Sequence, residues 1–120
     1  MQPIKMEEKL KQARFALMTM FEVIEEDIVE MKSRKQNKVH ARMFYNYYLW
    51  KVFKVPHNDI KKHINGMHHA TSIYLKNKLE FEMEKYDSVG MEWKTFLFFA
   101  DYQEWKQLDS IKDMQTKYII

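Results

Sequence analysis

Cysteine is absent from the 120-residue chain, and glycine and proline occur only twice each. The lack of cysteine excludes both a disulfide framework and a thiolate metal site. Because glycine and proline interrupt regular structure, their scarcity favours long helices over a sheet of many short strands. Two isolated glycines also cannot form the glycine-rich loop that cradles phosphate in nucleotide-hydrolysing proteins.

Long apolar runs are missing as well, because charged residues interrupt every candidate run, so no membrane-spanning segment is expected. The first residues lack the apolar stretch of a secretory signal, and we therefore expect a cytoplasmic protein. No serine has the glycine neighbours of a nucleophile elbow. The histidines lack the HExxH spacing of a zinc site, and adjacent histidines on a helix diverge by about 100°. We expect no enzyme, no metal and no cofactor.

Hydrophobic residues make up 46% of the chain, which is enough for one modest core in a single domain spanning residues 1–120. In residues 1–32 the apolar positions recur about every 3.6 residues and predict a long scaffold helix, or two helices with a soft joint. The stretch Ala41–Phe53 predicts a helix that is apolar on almost all sides and therefore central to the core. The sequence predicts an all-α fold.

Residues 33–86 are expected to contain a basic loop followed by a helix-turn-helix. Pro56 suits the start of a turn that leads into a short helix over Asp59–Ile64. Gly66 suits a left-handed corner that other residues resist. A long helix is expected to begin near His68.

Residues 87–120 are expected to form a turn at 87–90, a helix from about Met91 to Leu108, and a tail. One apolar stripe of this helix can face the core, and a second stripe is left over. The second stripe consists of Phe98, Phe99, Tyr102 and Trp105. A second stripe on a terminal helix indicates deep burial or a partner surface. A protein-interaction module, as a homodimer or with another protein, is therefore an alternative function.

Charge is strongly segregated along the chain. Residues 32–78 hold 11 of the 20 lysines and arginines, all five histidines and a single acid, Asp59. The flanking segments, 1–31 and 79–120, are net acidic. Because a solvated face normally mixes both signs, a nearly acid-free block of this length predicts a polyanionic partner.

Duplex DNA is the polyanion that fits a helical protein best. Exposed tyrosines and phenylalanines can stack on unpaired bases, but the aromatic residues of Ala41–Phe53 are expected in the core instead. A helix enters the major groove of B-form DNA more easily than the deep, narrow groove of RNA. An RNA-binding protein is therefore the less favoured third interpretation.

Three stretches in this segment carry a family resemblance: Arg42-Met-Phe-Tyr-Asn-Tyr-Tyr-Leu49, Asp59-Ile-Lys-Lys-His-Ile64 and Gly66-Met-His-His-Ala-Thr-Ser-Ile73. Their order and spacing resemble the C-terminal DNA-binding domain of the bacterial replication initiator DnaA, over a little more than a third of the chain. The resemblance implies helices around a helix-turn-helix that binds duplex DNA at short sites. It implies a bacterial or phage protein in replication or transcription regulation, without the family's nucleotide-binding module.

The resemblance also implies roles for individual residues. Arg34 falls where the family places an arginine in the minor groove, and Arg42 falls on its phosphate-clamping arginine. His69 falls on the signature histidine, and Thr71 on the second threonine, at the mouth of the major groove. The family's aspartate is His68 here, which cannot accept a hydrogen bond from a cytosine amine as a carboxylate can.

Ala70 replaces the family's first threonine, so we expect a preferred DNA sequence that differs from the family's. Ala70 and the methyl group of Thr71 are small enough to approach a thymine methyl, and His69 can hydrogen-bond a base edge. The surrounding cations would hold phosphates without reading sequence. On its own, His69 would be interpreted as a helix cap or a core histidine. The expected DNA-contacting residues are Arg34, Lys35, Lys38, Arg42, Lys54, Lys61, Lys62, His68, His69, Ala70, Thr71 and Tyr74.

Overall fold

The computed structural model describes residues 2–101, with side chains from Met6 onward. The described residues form α1 (Gln2–Phe21), α2 (Glu25–Val29), α3 (Gln36–Lys51), a 3-10 helix (His57–Lys62), α4 (His69–Lys85) and α5 (Asp87–Ala100), and they contain no strand. This confirms the predicted all-α class. Within residues 2–101, none of the helices has the length and apolar character needed to cross a membrane.

Two helices, rather than one, occupy most of the N-terminal stretch. Glu22 adopts a left-handed conformation with φ 56°. The Val23 N–H donates to the Met18 carbonyl over 3.1 Å, which is the closing hydrogen bond of a Schellman motif. The Ile24 N–H then donates to the Asp27 carboxylate over 3.1 Å and starts α2. Of the two predicted alternatives, two helices with a joint is therefore the one observed.

α3 is the centre of the core, as predicted, although it begins five residues earlier than expected. Every residue from Ala41 to Leu49 is buried. The ring of Phe44 meets Phe21 of α1 and Trp93 and Phe96 of α5 edge-on, with centroid separations of 5.2, 5.6 and 6.2 Å. Such edge-to-face pairs favour one packing geometry beyond the area that they bury. α1 and α5 thereby pack together on one side of α3.

The 3-10 helix and α4 also pack against α3. The short helix begins at His57, two residues before the predicted start, because Pro56 directs the chain into a helical turn immediately. The corner at Gly66 has φ 87°, which confirms the left-handed conformation expected there. A side chain at this position would start 3.4 Å from the Cβ of Met31. That separation is an ordinary van der Waals contact, so glycine is favoured here by the left-handed conformation.

The predicted turn over residues 87–90 is wrong. Tyr86 alone separates α4 from α5, and Gly90 lies inside α5. Asp87 is an acidic residue in the first turn, where the helix dipole stabilises negative charge, so this polar stretch opens a helix instead of reversing the chain. Of the expected aromatic stripe, Phe99 is exposed and Phe98 is half-buried. The expected positions Tyr102 and Trp105, and the helix as far as Leu108, lie outside the described residues.

Candidate nucleic-acid interface

The start of α4 is capped by its own neighbouring histidine. His68 has the extended backbone of an N-cap residue, and its Nδ1 accepts from the Ala70 N–H over 3.2 Å. This bond satisfies one of the backbone donors that every helix leaves free at its first turn. The cap role considered for His69 is therefore filled by His68. The His69 ring stacks at a tilt on the His68 ring, with centroids 4.6 Å apart.

The first turn of α4 is open to solvent, as predicted. His68, His69 and Ala70 are exposed, and Thr71 is partly exposed. One turn further along, the Tyr74 side chain is 61% exposed. The structure thus brings the expected base-reading residues together on one accessible surface.

A cleft of about 440 Å³ lies between the 3-10 helix and the first turn of α4. Its lining residues are Asn58, Lys61, Asn65, Gly66, Met67, His68 and His69. Apart from Gly66 and Met67, these are amide, ammonium and imidazole side chains, all of which can donate hydrogen bonds. The cleft can therefore accept an anionic group beside the exposed turn.

Backbone hydrogen bonds bring the start of the basic loop beside the corner that precedes α4. The Asn65 N–H donates to the Val29 carbonyl over 2.6 Å, and the Met31 N–H donates to the Asn65 carbonyl over 3.2 Å. Residues 29–31 therefore run beside the corner that precedes α4, as an isolated parallel bridge. The loop with Arg34 follows directly. Acids accompany the loop, since Glu30 accepts a hydrogen bond from the Asn65 side chain over 3.1 Å and Glu26 pairs with Lys32 over 2.9 Å.

The lysines and arginines that we expect to contact DNA differ in their exposure and in their ion pairs. The four that are exposed and form no ion pair within residues 2–101 are Arg34, Lys35, Lys54 and Lys61. Lys62 lies 3.7 Å from Asp59, and both side chains are well exposed, so this pair is weak. Lys38 contacts Asp27 over 3.2 Å, and both side chains are largely buried. Lys38 therefore belongs to the packing of α2 on α3 instead of the open surface.

Arg42 is a correction to the expected interface. Its side chain is buried, with 4% exposed. Its Nε donates to the Asp27 carbonyl over 2.8 Å, and an Nη donates to the Ser33 carbonyl. Burial lowers the pKa of Arg42, and the nearby Asp27 charge opposes that shift. A guanidinium held this way cannot clamp a phosphate, because its donors face the carbonyls that end α2 and form the loop.

A polar network beneath the exposed turn was not predicted. The Ser72 hydroxyl donates to the Asn46 side chain over 2.7 Å, and that side chain donates to the Ser72 carbonyl over 3.1 Å. His57 Nδ1 lies 2.8 Å from the same hydroxyl. The signal that pointed to it was Asn46 itself, an amide in the middle of an otherwise apolar stretch, since a buried amide needs partners.

A second surface lies between α1 and α5. A nearly apolar groove of about 270 Å³ is lined by Gln12, Phe15, Ala16, Thr19, Met20 and Phe99. Phe15 at its edge is 64% exposed and Phe99 is 45% exposed. Phe99, a member of the expected aromatic stripe, contributes to this groove.

Comparisons of the chain with protein-family models, with curated proteins and with solved structures gave no match.

Proposed function

We propose that this protein binds double-stranded DNA in a sequence-specific manner and acts as a regulator or replication accessory factor. The observation that carries the proposal is the exposed first turn of α4 beside a cleft that holds the exposed Lys61. A helix with side chains is about 10–12 Å across, which matches the roughly 12 Å width of the major groove. The open end of α4 is therefore the part that would enter the groove.

The exposure of each side chain indicates which part of the DNA we expect it to contact. His69, Ala70 and Thr71 would meet base edges, because they project from the open turn. Lys61 and Lys62 would hold the phosphates on one side without reading sequence. The histidine cap leaves the remaining N–H groups of the α4 terminus available to a phosphate in the cleft.

The basic loop would supply contacts on the other side. Arg34 and Lys35 precede α3 and follow the stretch that is hydrogen-bonded to Asn65. An exposed arginine in such a loop can enter a minor groove, where the potential is most negative. Lys54 is exposed between α3 and the 3-10 helix, and Tyr74 extends the surface along α4.

The resemblance to the DnaA C-terminal domain forms part of this proposal. The order of a basic loop, a central helix, a short helix, a corner and a long helix supports it. The burial of Arg42 argues against a direct phosphate contact at the position where the resemblance implies one. We therefore propose a helix-turn-helix of this general kind, with phosphates held by Lys61 and by the loop.

The proposal predicts a specific loss of phosphate contacts. Lys61→Gln and Lys35→Gln should each weaken binding to all DNA sequences alike and lower the slope of log affinity against log salt by about 1. Lys94→Gln is the matched control, since Lys94 is exposed on α5, which contributes no residue to this surface. Fluorescence anisotropy with a labelled duplex at several salt concentrations measures both quantities. Slopes equal to that of the parent protein in both variants would reject this surface.

Recognition of the DNA sequence by the first turn of α4 is tested separately. A selection from random duplexes identifies the preferred site, and His69→Ala or Thr71→Ala should narrow the gap between that site and random DNA by roughly 1–3 kcal/mol. Recovery of the same motif with the same discrimination by both variants would show that this turn does not read bases.

The apolar groove between α1 and α5 favours a second function, protein interaction, which is compatible with the first. Because Phe15 projects beside the groove, a second copy of the chain could insert it in a two-fold manner. Phe15→Ser should then convert a dimer to a monomer in light scattering, without loss of the fold. A parent protein that is monomeric at every concentration would exclude self-association.

A further inference from the structure

The polar network of Asn46, Ser72 and His57 lies directly under the exposed first turn of α4. Ser72 is one residue beyond Thr71 and is fully buried, as is Asn46. Two hydrogen bonds join this pair across the contact of α4 with α3, and they use both the side chain and the carbonyl of Ser72. A serine held at both groups fixes the backbone of the turn that carries it.

The hydrogen-bond directions can be assigned from the donors available. Because Asn46 donates its NH2 group to the Ser72 carbonyl, its oxygen must face the Ser72 hydroxyl and accept from it. A hydroxyl has only one proton to donate. The remaining contact, 2.8 Å to His57 Nδ1, is therefore one in which His57 donates and Ser72 accepts. Neutral His57 thus carries its proton on Nδ1.

His57 is itself held in place. Its ring stacks on Trp50 of α3, with centroids 5.5 Å apart and planes 15° from parallel. The Lys76 ammonium of α4 lies 4.9 Å from the centre of the same Trp50 ring. Burial lowers the pKa of His57, and the charges of Lys76 and His69 add to the effect. The 3-10 helix, α3 and α4 therefore meet at one neutral imidazole.

We propose that His57, acting with Asn46 through Ser72, is a positioning residue that sets the rotation of α4 about its own axis and thereby the sequence preference of the exposed turn. This inference rests on the proposed DNA-binding function. Side-chain tips lie about 5 Å from a helix axis, so a rotation of about 10° moves them by about 1 Å. Hydrogen bonds to base edges do not survive such a displacement, whereas contacts of flexible lysines with phosphates do.

Substitutions at His57 separate its two contacts. His57→Phe keeps the stacked ring and removes the donor, whereas His57→Asn keeps a donor at the position of Nδ1 and removes the ring. Ser72→Ala removes the shared hydroxyl. The readout is the ratio of affinities for the selected site and for random duplex DNA, because a loss of stability alone does not change that ratio in folded protein.

The ratio is expected to fall roughly 2- to 10-fold in His57→Phe and in Ser72→Ala, the factor that one neutral hydrogen bond contributes. It should stay near the parent value in His57→Asn, and the double variant His57→Phe with Ser72→Ala should be no worse than either single one. Affinity for random DNA should remain unchanged throughout. A parent-like ratio in both His57→Phe and Ser72→Ala would overturn the proposal.

Amide hydrogen exchange distinguishes this inference from the proposed function. Exchange at the Ser72 amide, whose N–H donates to the His68 carbonyl over 2.9 Å, and at the amides of residues 73–75 should accelerate at least several-fold in His57→Phe, while the amides in the middle of α3 keep their parent rates. If the parent binds no duplex but exchange changes in this pattern, the DNA-binding function fails and the fixing of α4 by His57 stands. Unchanged exchange at the Ser72 amide and at the amides of residues 73–75 would refute the fixing itself.

Discussion

The guanidinium of Arg42 joins three parts of the chain, because it lies on α3 and donates to carbonyls of α2 and of the following loop. Arg42→Met keeps much of the buried volume but leaves the carbonyls of Asp27 and Ser33 without this donor. Hydrogen bonds to charged groups contribute about 1.5–3 kcal/mol, so we expect the free energy of unfolding to fall by about 2–3 kcal/mol. Urea denaturation followed by circular dichroism measures it.

The control for this prediction is Arg34→Met, in which an exposed arginine of the neighbouring loop is replaced in the same way. Surface substitutions of this kind usually change stability by less than about 0.5 kcal/mol. Equal urea midpoints for the two variants would show that the carbonyl contacts of Arg42 do not stabilise the fold.

At the scale of single elements, the break between α1 and α2 depends on one strained residue. Glu22 has φ 56°, a conformation that costs a residue with a Cβ about 1–2 kcal/mol. Glu22→Gly should therefore raise the free energy of unfolding by about 0.5–1 kcal/mol, after the larger entropy of glycine in the unfolded chain is subtracted. Glu22→Val should lower it, because a branched side chain resists this conformation most strongly. Thermal or urea unfolding gives both values, and the opposite order would disprove the strain.

Sequence patterns correctly predicted the elements whose conformation is determined by nearby residues alone. Gly66 was predicted correctly because its conformation excludes other residues, and the start of α4 follows within three residues. The start of α5 was wrong because Asp87 and Ser88 favour a turn and a helix N-terminus equally. Only the packing of α5 on α1 and α4 decides between the two.

In the candidate site, too, features set by the local sequence could be predicted and features set by distant partners could not. The exposure of His69 and Ala70 could be predicted from their position at the start of a basic helix. The burial of Arg42 could not, because it depends on carbonyls of α2 and of the following loop, and the sequence left open whether α2 is a separate helix. Partners distant in sequence, such as Asn46 and Ser72, likewise become visible only when α3 and α4 are packed.

For the whole molecule, two histidines link stability to pH. Burial lowers the pKa of His63, and burial together with the charges of Lys76 and His69 lowers that of His57. The unfolded chain therefore binds protons more readily than the folded one. The stabilisation is complete above the unfolded pKa of about 6.5, and it is lost as the pH falls through the folded pKa values.

A second loss follows in more acidic solution. Burial raises the pKa of Asp27, but the Ile24 N–H and the Lys38 ammonium outweigh it and leave the pKa below its ordinary value. This contribution is present above the unfolded pKa of about 4 and disappears below it. Urea midpoints should fall from pH 7.5 to pH 5 and again below about pH 4. A urea midpoint that is constant from pH 7.5 to pH 5 would contradict the histidine contribution. In Asp27→Asn, the fall of the urea midpoint below about pH 4 should be smaller than in the parent protein.

The pairing of residues 29–31 with Asn65 has a consequence for transplanting this surface into another protein. The proposed DNA-binding surface is assembled from two stretches of chain that the whole of α3 separates. A graft of residues 56–78 alone would carry Lys61 and the open turn, but it would leave the backbone of Asn65 without its partners and omit the basic loop. The surface is therefore not portable as a short insert, and a recipient scaffold must offer an exposed backbone edge beside the corner.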